Sequence, residues 1–205
     1  DLGYGSYILF MLIGTALTIL IQSSSATMAL TLVMCANGWI GFDIAASMVL
    51  GENIGTTITA NLAAMVANTT AKRAAFAHFL FNLFGVAWVL AIFPFFLGWV
   101  AQLSIYLGIG DPFTSVGSVP VALSLFHTCF NVANVLILIW FTKIIANLVT
   151  HIIKSKESAD DAFTLKHIKI GLLSTPDASL FQAKQEISHY AKNTLDMYRQ
   201  VVECL

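Results

Sequence analysis

Apolar residues fill the first two-thirds of the chain in runs of membrane scale, and two short polar breaks interrupt them. Residues 6–21 (SYILFMLIGTALTILI) and 26–41 (ATMALTLVMCANGWIG) are each about sixteen residues long and flank Gln22-Ser23-Ser24-Ser25. A full membrane span needs roughly 20 residues. The pair therefore predicts a re-entrant hairpin with the serines at its tip. Residues 43–68 are long enough to cross but carry Gly51-Glu52-Asn53-Ile54-Gly55-Thr56-Thr57 at the middle. Two glycines weaken a helix there and the polar side chains need partners, which predicts a crossing helix unwound or kinked at that point. Residues 72–99 and 120–149 read as ordinary spans, with Pro94 near the end of the first and Pro120 in the first turn of the second.

The pattern changes after residue 156. Thr175 and Pro176 have the form of an N-cap and a first helical residue. Leu180, Ala183, Ile187, Tyr190, Leu195 and Val201 follow near helical spacing and predict an amphipathic helix of a soluble bundle. The chain thus reads as a membrane part, residues 1–156, and a linker with a soluble helical tail, residues 157–205.

Composition agrees. The 205 residues are 58% hydrophobic and 10% charged, with a mean hydropathy of +0.81, where a soluble domain carries about 25% charge. Residues 1–142 hold only six charged side chains: Asp1, Asp43, Glu52, Lys72, Arg73 and Asp111. A net charge of −1 with no basic stripe gives nucleic-acid binding no support. Cys35, Cys129 and Cys204 stand apart and suggest neither disulfides nor a metal cluster. Lys72 and Arg73 lie at one end of the fourth segment, and Lys143, Lys154 and Lys156 at the far end of the fifth. The positive-inside rule then places residues 69–73 and the tail in the cytoplasm, across a multi-pass inner-membrane protein. The chain opens on Asp1 without the layout of a signal peptide, which reads as a piece of something longer.

The two polar breaks carry the candidate chemistry. Unsatisfied polar groups are costly in hydrocarbon unless they line a cavity or bind something. Ser23, Ser24, Ser25 and Thr27 offer hydroxyl donors, and a helix beginning near Ala26 adds a positive dipole end, a combination suited to an oxyanion. With no Lys or Arg nearby, a polyanion such as phosphate needs a co-bound cation. Sodium accepts oxygen ligands without strict geometry, and Gln22, Ser24, Thr27, Asn53, Thr56 and Thr57 supply them, with carbonyls freed where helices unwind. Glu52, an intramembrane carboxylate, either balances that cation or pairs structurally. Single serines and threonines often bond back to their own helix, but four hydroxylic residues in a row of six favour a site.

A smaller echo is H-x-x-F-N, at His78–Asn82 and His127–Asn131. His and Asn at i and i+4 share a helical face; they either line a site or bond between helices as packing residues, and packing is the preferred reading. An intramembrane serine hydrolase has little support, since no G-x-S-x-G is present, and no enzyme or resident cofactor is expected.

QSSSA, then G-x-N-I-G-T-T, then H-x-x-F-N, resembles the type II sodium/phosphate cotransporter family, and the tail resembles the start of the PhoU-like domain of its bacterial members. The resemblance implies an all-α membrane protein: one half of an inverted-repeat transporter, with a hairpin, a broken helix and two full spans, completed by a missing first repeat or a second subunit. It implies sodium-coupled symport of inorganic phosphate by alternating access. Gln22, Ser23, Ser24 and Ser25 would contact phosphate; Gln22, Ser24, Thr27, Glu52, Asn53, Thr56 and Thr57 would serve sodium. The alternatives are a phosphate-responsive regulatory protein and a transporter of another small anion. The absence of Arg at the breaks counts against a carboxylate substrate.

Overall fold

The computed structural model describes residues 3–154 and 176–203. The chain divides into two compact units, Asp1–Ser155 and Lys156–Leu205. Every regular element among the described residues is helical. The first unit holds α1 (Tyr4–Ile21), α2 (Ser24–Ala36), α3 (Phe42–Ala64), α4 (Thr69–Ala91), α5 (Phe93–Tyr106), α6 (Val119–Leu138) and α7 (Thr142–Ile152). The second holds α8 (Pro176–Glu203). Among the described residues, three stretches are long and apolar enough to cross a membrane: Tyr4–Ile21, Thr69–Ala91 and Val116–Ile152.

α3 is the hub of the first unit, packed against α1, α2, α4 and α6. Its contacts with α1 rise in register: Gly14 lies against Met48, Met11 and Thr15 against Gly51, and Thr15 and Thr18 against Gly55. The two helices therefore run parallel, with α2 returning between their ends. This seam corrects the expected broken helix. α3 is continuous through Gly51–Thr57, so no carbonyls are freed there. Its glycines serve close approach instead, because a side chain at Gly51 would run into the Met11 carbonyl and the Thr15 nitrogen. Small residues that let backbones meet are the usual means of joining helices where lipid replaces water. Thr15 Oγ1 fastens the seam by donating to Gly51 O at 3.0 Å.

The expected span 72–99 is also two elements. Pro94 has no N–H and disfavours a helical residue before it. The chain accordingly leaves α4 at Ile92 (φ −118°, ψ 23°) and restarts with Pro94 in the first turn of α5. α5 then runs to Tyr106, into residues expected to be loop, and buries Phe93, Phe96, Leu97 and Val100. Pro120 lies in the first turn of α6, and a 3₁₀ turn at Ile139–Phe141 separates α6 from α7. The aromatic core gathers on Phe126, which meets Phe93, Phe96 and Phe42 edge-on, with centroids 6.2, 5.5 and 6.5 Å away.

The asparagines that bond between helices are not those of the H-x-x-F-N echo. Asn134, fully buried, donates to Phe81 O at 3.2 Å and accepts from Trp88 Nε1 at 3.3 Å, seated on Gly85. Asn61 of α3 donates to Ala75 O of α4 at 2.9 Å. In the second unit, α8 begins at Pro176, while Thr175 lies outside the described residues. Leu180 and Ile187 are exposed on it.

Candidate functional site

The QSSS segment is a helix end, a cap and a helix start. Gln22 closes α1 in the left-handed region (φ 57°), its N–H bonded to Thr18 O at 2.8 Å. Ser23 is the N-cap of α2, and its Oγ accepts from Ala26 N at 3.3 Å. Ser24 and Ser25 occupy the first helical turn, two residues earlier than the expected start. Among the described residues, neither hydroxyl has a hydrogen-bond partner.

A cavity of about 430 Å³ opens beside that turn. Ser24 and Ser25 reach it from α2; Glu52, Asn53 and Thr56 from α3; His78 and Asn82 from α4; and His127 from α6. Helical spacing explains the grouping. Glu52 and Thr56, like His78 and Asn82, are four residues apart and share a face. Gly51 and Gly55, one residue earlier on α3, face α1, and this rotation turns the Glu52 face toward α2 and the cavity. Met28, Ala29 and Leu32 form the apolar part of its wall.

The hydroxyls divide by role. Thr27 donates to Ser23 O, Thr56 to Glu52 O and Thr57 to Ile54 O, at 3.0, 2.8 and 2.7 Å, so all three bond back to their own helix. Ser24 and Ser25 do not. Asn53 donates to Val49 O at 3.0 Å, which leaves its carbonyl oxygen for a ligand. Glu52 is 1% exposed. Its Oε1 accepts from Thr31 Oγ1 of α2 at 2.8 Å, and its buried Oε2 has no partner among the described residues. An uncompensated buried carboxylate oxygen is costly, which makes it a natural partner for a cation or proton.

Of the residues expected to form the site, Ser24, Ser25, Glu52, Asn53 and Thr56 meet at the cavity, while Gln22, Ser23, Thr27 and Thr57 lie off its wall. Gln22 closes α1 through its backbone N–H, the Ser23 hydroxyl caps α2, and Thr27 and Thr57 are buried among helices. His78, Asn82 and His127 line the cavity, where the expected reading had them bond between helices. Asn82 and Asn131 donate to the carbonyls of His78 and His127 within their own helices, at 3.1 and 2.8 Å, and make no bond between helices. Their i, i+4 echo in the sequence was the signal; nothing there marked Met28, Ala29 or Leu32.

Residues 5–173 match the model of the Na+/Pi-cotransporter family. The chain belongs to that family. It is 37% identical over 146 residues to "Uncharacterized protein YqeW" of Bacillus subtilis, covering 71% of this chain and 44% of that protein. It is 31% identical over 183 residues to "Putative inorganic phosphate export protein YjbB" of Salmonella typhimurium, covering 89% of this chain and 32% of the relative. The rat "Sodium-dependent phosphate transport protein 2C" is 43% identical over 88 residues, covering 41% of this chain and 15% of the relative. The chain thus spans less than half the length of each of these relatives. No solved structure matches it.

Proposed function

We propose that the chain forms one half of a transporter that moves inorganic phosphate across a membrane together with sodium. The observation that carries this reading is the cavity itself. It joins two unbonded serine hydroxyls on the first turn of α2 to a buried carboxylate with a free oxygen, and neither Lys nor Arg lines it. Hydroxyl donors at a helix N-terminus suit the oxygens of phosphate. The Glu52 Oε2, the Asn53 carbonyl oxygen and the Ser24 hydroxyl suit sodium, which neutralises the anion where no fixed cation does. The names of the bacterial and mammalian relatives support phosphate as cargo, and the mammalian name supports sodium.

In this reading α1 and α2 are a hairpin whose turn reaches the membrane interior, the tail faces the cytoplasm, and an inverted second half closes the open side of the cavity for alternating access. The tail carries the start of a PhoU-like domain. The test is radiolabelled phosphate uptake into proteoliposomes bearing the full-length protein, with an inward sodium gradient and then with potassium in its place. Uptake that requires sodium supports the reading. Equal uptake in potassium removes sodium as the coupling ion, and phosphate binding without flux favours a regulatory protein.

A further inference from the structure

We propose that His78 and His127 are phosphate-contacting residues that donate imidazole N–H groups into the cavity that Ser24 and Ser25 also line. The assignment rests on the phosphate reading above and adds the two donors that the polar breaks lack.

Both imidazoles line the cavity, from different helices, and neither ring has a hydrogen-bond partner among the described residues. His78 is exposed and His127 half-buried, so both rings are open to a ligand that enters the cavity they line. His78 had candidates, since Thr142 of α7 lies beside it in an adjoining apolar pocket with Ile145 and Ala146. Thr142 donates instead to Ile139 O at 3.2 Å. The Asn four residues after each histidine bonds back to that histidine's carbonyl, which fixes the local turn and leaves the ring free.

The chemistry of the lining gives the rings their task. α2 contributes hydroxyls and apolar side chains, and α3 contributes Glu52, so the ionisable groups facing the two imidazoles are each other and that carboxylate. An oxyanion meeting only serines on one wall would leave its remaining oxygens toward Glu52, which repels it. A neutral imidazole offers one N–H and a protonated one offers two. Among the residues that line the cavity, these are the only side chains able to add positive charge, and they come from α4 and α6 where the serines come from α2.

The test uses the full-length protein in proteoliposomes. His127→Leu and His78→Leu should each raise the phosphate KM roughly tenfold, the effect of losing one hydrogen bond to a charged ligand. His127→Gln and His78→Gln, which keep an N–H donor, should recover part of that loss. The sodium half-saturation measured at saturating phosphate should stay unchanged. A second measurement needs no variants: diethyl pyrocarbonate modification of the wild-type protein, mapped by mass spectrometry. Inorganic phosphate, and not chloride, should slow modification at His78 and His127 and leave exposed His151 unaffected. Leucine variants with a wild-type KM, or equal modification rates with and without phosphate, overturn the assignment. A wild-type protein that moves no phosphate refutes the transport reading instead, and the protection experiment still decides the histidines.

Discussion

Substitution of Gly51 by Ala tests whether the glycines of α3 serve contact rather than flexibility. In an open helix this change is favourable by about 1 kcal/mol, because alanine gives up less backbone freedom. Here the added Cβ would collide with the Met11 carbonyl and lie 2.8 Å from the Thr15 nitrogen, both of them backbone atoms of α1 that no rotamer change can move. Overpacking a close-packed contact typically costs 1–3 kcal/mol and more where backbone must shift. The sign is therefore reversed, with a net loss of about 1–2 kcal/mol or a shifted α1. Gly98 of α5 is the internal control, since a Cβ there meets nothing within 4 Å. Thermal unfolding in detergent, followed by loss of the monodisperse gel-filtration peak, should show Gly51→Ala several degrees below wild type and Gly98→Ala at or above it. Because Glu52 is the next residue, a shifted seam would also weaken phosphate transport. Gly51→Ala with wild-type stability would refute the tight α1–α3 seam, and with it the account of how Glu52 is aimed at α2.

Ser24→Ala should lower phosphate affinity about tenfold while leaving membrane insertion intact, since the hydroxyl has no hydrogen-bond partner among the described residues; unchanged uptake would take the α2 turn out of the site. Glu52→Gln should weaken the apparent sodium affinity in the same assay, and a superimposable sodium curve with normal expression would leave Glu52 a structural partner of Thr31. Asn134→Leu removes both the Phe81 and Trp88 bonds and should cost on the order of 1 kcal/mol, measured by unfolding in mixed micelles. Thr27→Val and Thr57→Val, at positions that bond only to their own helices, should leave phosphate and sodium dependence unchanged.

The fate of the two polar motifs shows which features a linear pattern can carry. QSSS and GENIGTT were legible as the places where polar atoms gather, because any polar cluster inside an apolar run must be satisfied somehow. What the pattern could not carry was the direction of each side chain. Gly51 and Gly55 read equally as helix weaknesses or as contact points, and only the register with Met11, Thr15 and Thr18, forty residues away in sequence, decides for contact. Once α3 is a straight helix, its 3.6-residue period assigns the rest. Glycines go to α1, Glu52 and Thr56 go to the cavity, and Thr57 is carried past it into the interior. The same logic moves the histidines. The asparagines that hold helices together are Asn61 of α3 and Asn134 of α6, outside any motif, whereas the repeated His–Asn pairs of α4 and α6 keep their bonds within one turn. A hydrogen bond that stays inside one helix does nothing to join two. The His–Asn pairs, expected to bond between helices, instead place His78, Asn82 and His127 at the cavity wall.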